Sequence, residues 1–233
     1  MPAQLVRLEA SPDLVDRVYR RLGDAICDGS LAPGQRLTQE EIAQQLAVSR
    51  QPVLQALRLL KKDGFVQDAA GRGLQVAPLD AQWIRNVYQV RGALDALAAR
   101  LAAQRRYRID PGLIQEGRRA ARGDDVGAMI DADLAFHVAL YAAAGNPLIE
   151  QSAQLHWRHL RRVMGAVLQQ MRQREAVWDE HEAIAKAIAD GEADAAARLV
   201  EEHSRHASES LGERLDRVLN TTTTTTSGPR RQT

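Results

Sequence analysis

At 233 residues, with 45% apolar and 26% charged residues, the chain is long enough for two modest domains, each with its own core. Its formal net charge of +1 excludes attachment to nucleic acid through bulk positive charge. A single cysteine excludes an internal disulfide, and neither a nucleophile motif nor a phosphate-binding loop marks the chain as an enzyme.

Aromatic residues make up only 4% of the chain, while alanine and leucine are abundant, a balance that favours helices. Residues 1–80 hold ten Lys/Arg and ten Asp/Glu, so any DNA affinity of this part comes from charge placement and from two copies acting together. Lysine occurs only at Lys61, Lys62 and Lys186, which reads as a composition bias towards arginine. Cys27 lies within an apolar helical pattern and reads as a small buried residue in a reducing compartment. No segment approaches the length of a membrane span and the N-terminus lacks a signal-peptide core, so a cytoplasmic protein with no membrane partner is expected.

In chain order, Ser11-Pro12 opens a helix with Leu14, Val15, Val18, Leu22 and Ile26 on one side, closing at Gly29. Thr38 with Glu41 fits a capping box, so a short helix starts near Gln39 and buries Ile42, Ala43 and Leu46. Ala47-Val48 is the turn. Ser49 is placed to cap a second helix, with Pro52 tolerated in a first turn whose amides lack intrahelical partners. Val53, Leu54, Ala56, Leu57 and Leu60 give that helix its apolar stripe, and Gly64 ends it. Phe65-Val66 and Leu74–Val76 flank AAGRG as a hairpin with a flexible tip.

Helix, turn, helix and hairpin together read as a winged helix-turn-helix. In such a motif the second helix puts its N-terminal residues into the major groove of duplex DNA. Arg50 and Gln51 come first, then Gln55 and Arg58. Arg pairs bidentately with guanine, and Gln with adenine. Thr38 and Ser49, at the two helix starts, complete the first set of contact candidates, because a helix N-terminus favours a phosphate. Arg72 at the hairpin tip reaches for the backbone or the minor groove. The alternative is that these are ordinary surface residues of a small helical domain.

The stretches PGQRL, EEIAQQLAVSRQPVLQAL, KKDGFV and GRGLQV resemble the N-terminal domain of the GntR family of bacterial transcription regulators, over roughly residues 10–78. The family usually carries SR-x-PVREAL where this chain has SRQPVLQAL. Leu54 thus replaces a basic residue and Gln55 an acidic one, while Arg50 is retained. The resemblance implies the family's docking mode, but not its operator sequence or affinity.

Pro78-Leu79-Asp80 is a short linker, and residues 79–219 carry no strand signal. Helical patterns follow one another at about 81–104, 110–122, 125–143, 147–170, 172–190 and 192–219, separated by Asp110-Pro111-Gly112, Gly123-Asp124, Gly145-Asn146-Pro147 and Asp190-Gly191. The fold class is therefore mainly α: the winged domain followed by an antiparallel bundle of roughly six helices. The final NTTTTTTSGPRRQT, residues 220–233, reads as a disordered tail whose two arginines add weak nucleic-acid contact.

Four residues stand out in the bundle. Asp133 and His137 are four apart and share a helix face, while His181 (in WDEHEAI) and His203 (in EEHSRH) lie on two later helices. Imidazoles and a carboxylate from facing helices are how bundles build metal sites, although each could equally be a hydrogen-bonded core residue. The sequence DADLAFH, then GNPLI, WDEHEAI and EEHSRH, is similar to the FCD-type effector domain in its shorter, VanR-like six-helix form, over roughly residues 82–217. That resemblance implies that Asp133, His137, His181 and His203 bind a divalent metal, for which Zn, Ni and Mn are all compatible. His156, His159 and His206 fall outside the pattern and read as surface or packing residues.

The same resemblance turns Arg91 towards the cavity, where an organic acid would bridge it and the metal. The alternative is an Arg91–Asp95 surface pair at i,i+4. Arg158, Arg161 and Arg162 either contribute one more cavity residue or form a solvated face. Together these readings describe a DNA-binding transcription regulator, a repressor and homodimer that grips an inverted repeat in its operator. A small organic-acid effector modulates it. The alternative is a metal-dependent small-molecule-binding protein or enzyme with weak or lost operator binding, motivated by Leu54 and Gln55; a further one is a purely structural metal.

Overall fold

The computed structural model describes residues 14–168 and 175–225, with side chains through Asn220. The chain divides into two compact units at Pro78–Leu79.

The first unit contains α1 (Leu14–Cys27), β1 (Arg36–Leu37), α2 (Gln39–Gln45), α3 (Arg50–Lys62), β2 (Val66–Asp68) and β3 (Leu74–Val76). Residues before Leu14, including the Ser11-Pro12 start, lie outside the described residues. The core forms where the apolar stripe of α3 meets α1. Val53, Ala56, Leu57 and Leu60 are fully buried against a cluster that includes Val18 and Ile26. Burying each large aliphatic side chain contributes about 1.5–3 kcal/mol. Thr38 caps α2 by accepting from the Glu41 amide, and its hydroxyl donates to the Glu41 carboxylate. Ser49 occupies the N-cap position of α3 in extended conformation but makes no side-chain cap bond. Between them Ala47 takes φ 51°, a left-handed turn residue.

β1 was not legible in the sequence. Two residues are too few to show alternation, and the strand exists because it pairs with the edge of β3, giving an antiparallel sheet ordered β1-β3-β2. Arg36 of β1 donates to the carbonyls of Ala70 and Arg72, bracing the wing tip.

The second unit contains α4 (Ala81–Gln104), α5 (Pro111–Arg122), α6 (Val126–Ala144), α7 (Pro147–Val167), α8 (Ala176–Asp190) and α9 (Ala193–Thr225). Four of the six begin on a carboxylate or amide cap: Asp80, Asp110, Asp125 and Asn146 each accept from first-turn amides. Pro111 and Pro147 stand at the starts of α5 and α7, where a missing N–H leaves no bond unmade. α4 is the central element and packs against α6, α7, α8 and α9.

Two expectations need correction. The tail was expected from residue 220, yet α9 runs through Thr225, since each residue added to an existing helix gains a backbone hydrogen bond; residues 226–233 lie outside the description. Also, α6 is long and apolar enough to cross a membrane by length and composition, contrary to the expectation that no segment approaches that size. Its apolarity has another explanation: α6 is packed by α4, α5 and α7 and buries Phe136, Leu140, Tyr141, Ala143 and Ala144.

Gly117 on α5 marks the closest approach in the bundle. A Cβ there would sit 2.0 Å from the Trp178 ring of α8. Helix propensity alone favours alanine by about 1 kcal/mol. Overpacking against a buried indole costs about 1–3 kcal/mol and should win. Gly117→Ala is therefore expected to lower the thermal midpoint by several degrees in a calorimetric scan; a rise would mean that α5 and α8 can part at little cost.

Candidate metal centre and nucleic-acid interface

α6, α8 and α9 bring Asp133, His137, His181 and His203 together, with one ligand atom of each lying within 4.8 Å of the others. The three histidines are 0–4% exposed, and the Asp133 side chain is 15% exposed. Asp133 Oδ1 lies 3.4 Å from His181 Nε2 and 4.0 Å from His137 Nε2. Both ring nitrogens of His181 are buried without a hydrogen-bond partner. A buried imidazole with two unused nitrogens is costly unless something else engages it. The donor set therefore fits a divalent cation: three imidazoles and a carboxylate, all on rigid helices.

The surrounding groups set the orientation of these ligands. Arg91 Nη2 contacts His137 Nε2 at 2.7 Å. A guanidinium only donates, so Nε2 accepts and the proton of His137 sits on Nδ1, which faces Asp95 Oδ2 at 3.5 Å. Glu180 Oε2 lies 2.8 Å from His203 Nδ1, which turns the Nε2 of that ring to the cluster, and its Oε1 lies 2.7 Å from His206 Nδ1. Phe136 stacks on His181 with ring centroids 4.2 Å apart.

Burial, then the Arg91 guanidinium, holds His137 well below the usual imidazole range; burial and His203 do the same for His181. Both are therefore neutral, the form that ligates. Burial pushes Asp133 up, against the pull of Arg91 and His203. Glu180 is held down: burial alone would raise it, and the bonds from His203 and His206 outweigh that.

Arg91 departs from the sequence reading. The Arg91–Asp95 pair forms, but it is buried and not on the surface. Arg91 Nε lies 3.1 Å from Asp95 Oδ2, with the two side chains 2% and 0% exposed. The i,i+4 spacing faces the bundle centre instead of solvent, because α4 is covered on several sides. Tyr141 donates to Asp95 Oδ1 at 2.6 Å, Trp157 Nε1 donates to Tyr141 at 3.1 Å, and the Arg91 guanidinium lies 4.1 Å over the Trp157 ring. Tyr141, Trp157 and Glu180 are site residues that sequence reasoning missed, and Asp95 is one it had placed at the surface. The available signal was a lone aspartate in the alanine-rich GALDALAA, and a second carboxylate directly before His181.

Among the remaining arginines, Arg162 is buried, whereas the exposed Arg161 pairs with Asp131 at 3.2 Å. His159 is buried and meets Trp83 edge-on, while His206 is half-exposed.

In the first unit, Arg50, Gln51, Gln55 and Arg58 are all exposed on α3, and Arg72 is exposed on the wing. Leu54 is half-buried in the helix, which leaves Gln55 beside it as the outward residue. Arg50 is held by Glu40 at 2.8 Å with both side chains largely in solvent. Such a pair is worth about 0–1 kcal/mol, so exchanging it for a phosphate or a base edge is cheap.

The family models align with this division. The FCD domain matches residues 86–206, and the model described as bacterial regulatory proteins, gntR family, matches residues 14–76. The chain belongs to the GntR family. It is a DNA-binding transcriptional regulator with an FCD effector-binding domain. It is 26% identical over 210 residues to the HTH-type transcriptional repressor RspR of Escherichia coli K12, an alignment covering 88% of this chain and 92% of that one. With the HTH-type transcriptional regulator LutR of Bacillus subtilis it shares 29% over 197 residues, covering 71% and 86% of the two chains. Other similarities are partial: 34% identity to the B. subtilis regulator YdhC extends over 83 residues, 37% of that protein. Among solved structures, a GntR regulator from Rhodococcus sp. RHA1 superposes with TM-score 0.68 at 25% identity, covering 84% of this chain and 96% of that one. E. coli McbR/YncC, at 18% identity and TM-score 0.70, shares the fold over 88% of this chain and 99% of its own.

The Arg91–Asp95 pair gives a sharp expectation. Asp95→Asn keeps the shape but leaves a buried guanidinium without its countercharge, which costs about 3–5 kcal/mol. The Arg91→Met/Asp95→Asn double variant removes the orphaned charge and should recover much of that loss. Urea midpoints of the metal-free proteins test this; equal losses in single and double variants would refute the account.

Proposed function

We propose that this regulator is a cytoplasmic homodimeric repressor whose operator affinity responds to a small organic acid bound at a divalent metal held by Asp133, His137, His181 and His203. The observation that carries this reading is His181, buried with both ring nitrogens unpartnered inside a four-ligand cluster. Zn, Ni and Mn all suit that donor set.

A metal there would supply a Lewis-acidic position for an anionic oxygen. The protein supplies the rest. Glu180 orients His203, as outer carboxylates do for ligating histidines, and Asp95 Oδ2 faces His137 Nδ1 at 3.5 Å. Trp157 and Tyr141 hold Asp95 in place. Arg91 keeps one N–H donor on His137 Nε2, so that donor serves a carboxylate only when the nitrogen is otherwise engaged. This makes Arg91 an effector contact contingent on an occupied His137, which is narrower than a standing anion hook.

On DNA, Arg50 and Gln51 lead α3 into the major groove, Gln55 and Arg58 follow, and Arg72 reaches from the wing. Thr38 and Ser49 lie at helix N-termini suited to phosphate, although the Thr38 hydroxyl is already engaged by Glu41. The effector shifts operator affinity only as far as it prefers one arrangement of the dimer over the other; a tenfold release needs about 1.4 kcal/mol.

Two measurements test the two halves. Elemental analysis of purified protein should give near-stoichiometric metal in the wild type and little in His181→Ala, and the wild type alone should melt higher as organic acids are added. No metal, or no difference between the proteins, rejects the sensor half. Binding to duplexes selected from random DNA should recover an inverted repeat, and Arg50→Ala should weaken that complex by about 1–3 kcal/mol or lower the salt slope by about one. Unchanged affinity would remove Arg50 from the interface.

A further inference from the structure

A run of hydrogen bonds leads from the four-ligand cluster to the surface of α9. His203 turns its Nε2 to the cluster, and its Nδ1 lies 2.8 Å from Glu180 Oε2. The other oxygen of that carboxylate, Oε1, lies 2.7 Å from His206 Nδ1. Arg205 Nη2 reaches His206 Nε2 at 3.0 Å, and Glu209 holds Arg205 Nη1 with both oxygens, at 3.2 and 3.3 Å.

The protons along this run have one consistent placement. A guanidinium only donates, so His206 Nε2 accepts and the ring proton sits on Nδ1, pointing at Glu180. The carboxylate only accepts, so His203 also donates from Nδ1. That leaves the lone pair of His203 Nε2 for a cation.

Position on the two helices explains why these residues meet. On α8, His181 is fully buried, while the neighbouring Glu180 side chain is 34% exposed and bonds across to α9. On α9, His203 and His206 are three apart and so share one side of the helix; their side chains are 4% and 50% exposed. Glu180 is therefore a strut between the two helices that bring the last two ligands. A partly exposed glutamate loses much rotamer freedom when held in one geometry. The bond to His203 alone leaves the carboxylate free to rotate about that contact. The second bond, from His206, fixes the other oxygen.

We infer that His206 is a positioning residue for the metal: acting through Glu180 and His203, it sets how tightly the cluster holds a divalent cation without touching the ion. A fixed outer carboxylate orients the ligating ring and raises its basicity. An ordinary exposed ion pair would contribute little to anything. This one differs because its inner end is a buried ring whose other nitrogen faces the cluster.

The inference rests on the metal reading above, and the test separates the two. Zn²⁺ affinity of the full chain is measured by competition with a chromophoric chelator, and zinc release is followed on adding excess EDTA. Glu180→Ala should weaken zinc binding about 10–100-fold, the range for outer partners of ligating histidines. His206→Ala should weaken it about tenfold and speed release, with helicity unchanged. His206→Asn, whose side-chain amide keeps a donor near the place of Nδ1, should restore most of that loss. In the Glu180→Ala background, His206→Ala should have no further effect, because its route to the ion is gone. Lys186→Ala, which breaks an exposed pair with Asp190 elsewhere on α8, should leave zinc affinity unchanged. A wild type that binds no zinc overturns the metal reading and this inference with it. Tight zinc binding that His206→Ala leaves unchanged keeps the metal and rejects the role of His206. So does an equal loss in the Glu180→Ala background. Should Glu180→Ala fail to fold, the contrast between His206→Ala and His206→Asn decides in the same way.

Discussion

The second unit depends on one buried charge pair. Arg91 and Asp95 are both removed from water in the middle of the central helix. Neither tolerates that position alone, since an unpaired ion in a protein interior costs several kcal/mol. The surrounding residues are arranged to satisfy them. Tyr141 donates to Asp95 Oδ1 and itself accepts from Trp157, the indole face covers the guanidinium, and His137 Nε2 accepts from Arg91 Nη2. This network ties α4 to α6 and α7, the helices that carry Asp133, His137 and one flank of the cluster.

That arrangement also explains why His137 and His181 are held neutral. Burial and the fixed guanidinium both oppose a second positive charge on His137 and His181. The same cation offsets the burial penalty on Asp133. Neutral imidazoles at His137 and His181 beside the Asp133 carboxyl suit a dication, and the rigidity of the cluster comes from the helices that carry it. Packing at Gly117 against Trp178 and at the α-helix caps fixes the frame in which these short distances exist.

The DNA-binding unit works on opposite terms. Its candidate contacts are exposed, weakly engaged and placed at helix starts or on a hairpin tip, so little is lost when a phosphate replaces a surface partner. What is rigid there is the support: the buried stripe of α3 against α1, and Arg36 holding the wing carbonyls.

By itself the sequence determined the local features: the two short helices around Ala47, the cap at Thr38, the helix breaks at Asp110-Pro111-Gly112 and Gly145-Asn146-Pro147, the wing strands, and the six-helix order. These depend on residue type and spacing within a few positions, where helix periodicity and capping chemistry act. It also named Asp133, His137, His181 and His203, through spacing on one helix and resemblance on the others. Only the tertiary structure decided that the four converge, that Asp95 is buried with Arg91 instead of lying at the surface, and that Glu180 reaches back to His203. It likewise made a strand of Arg36–Leu37. Each of those is a contact or an exposure between segments far apart in the chain, and burial, unlike helical period, is a property that no local stretch of sequence carries.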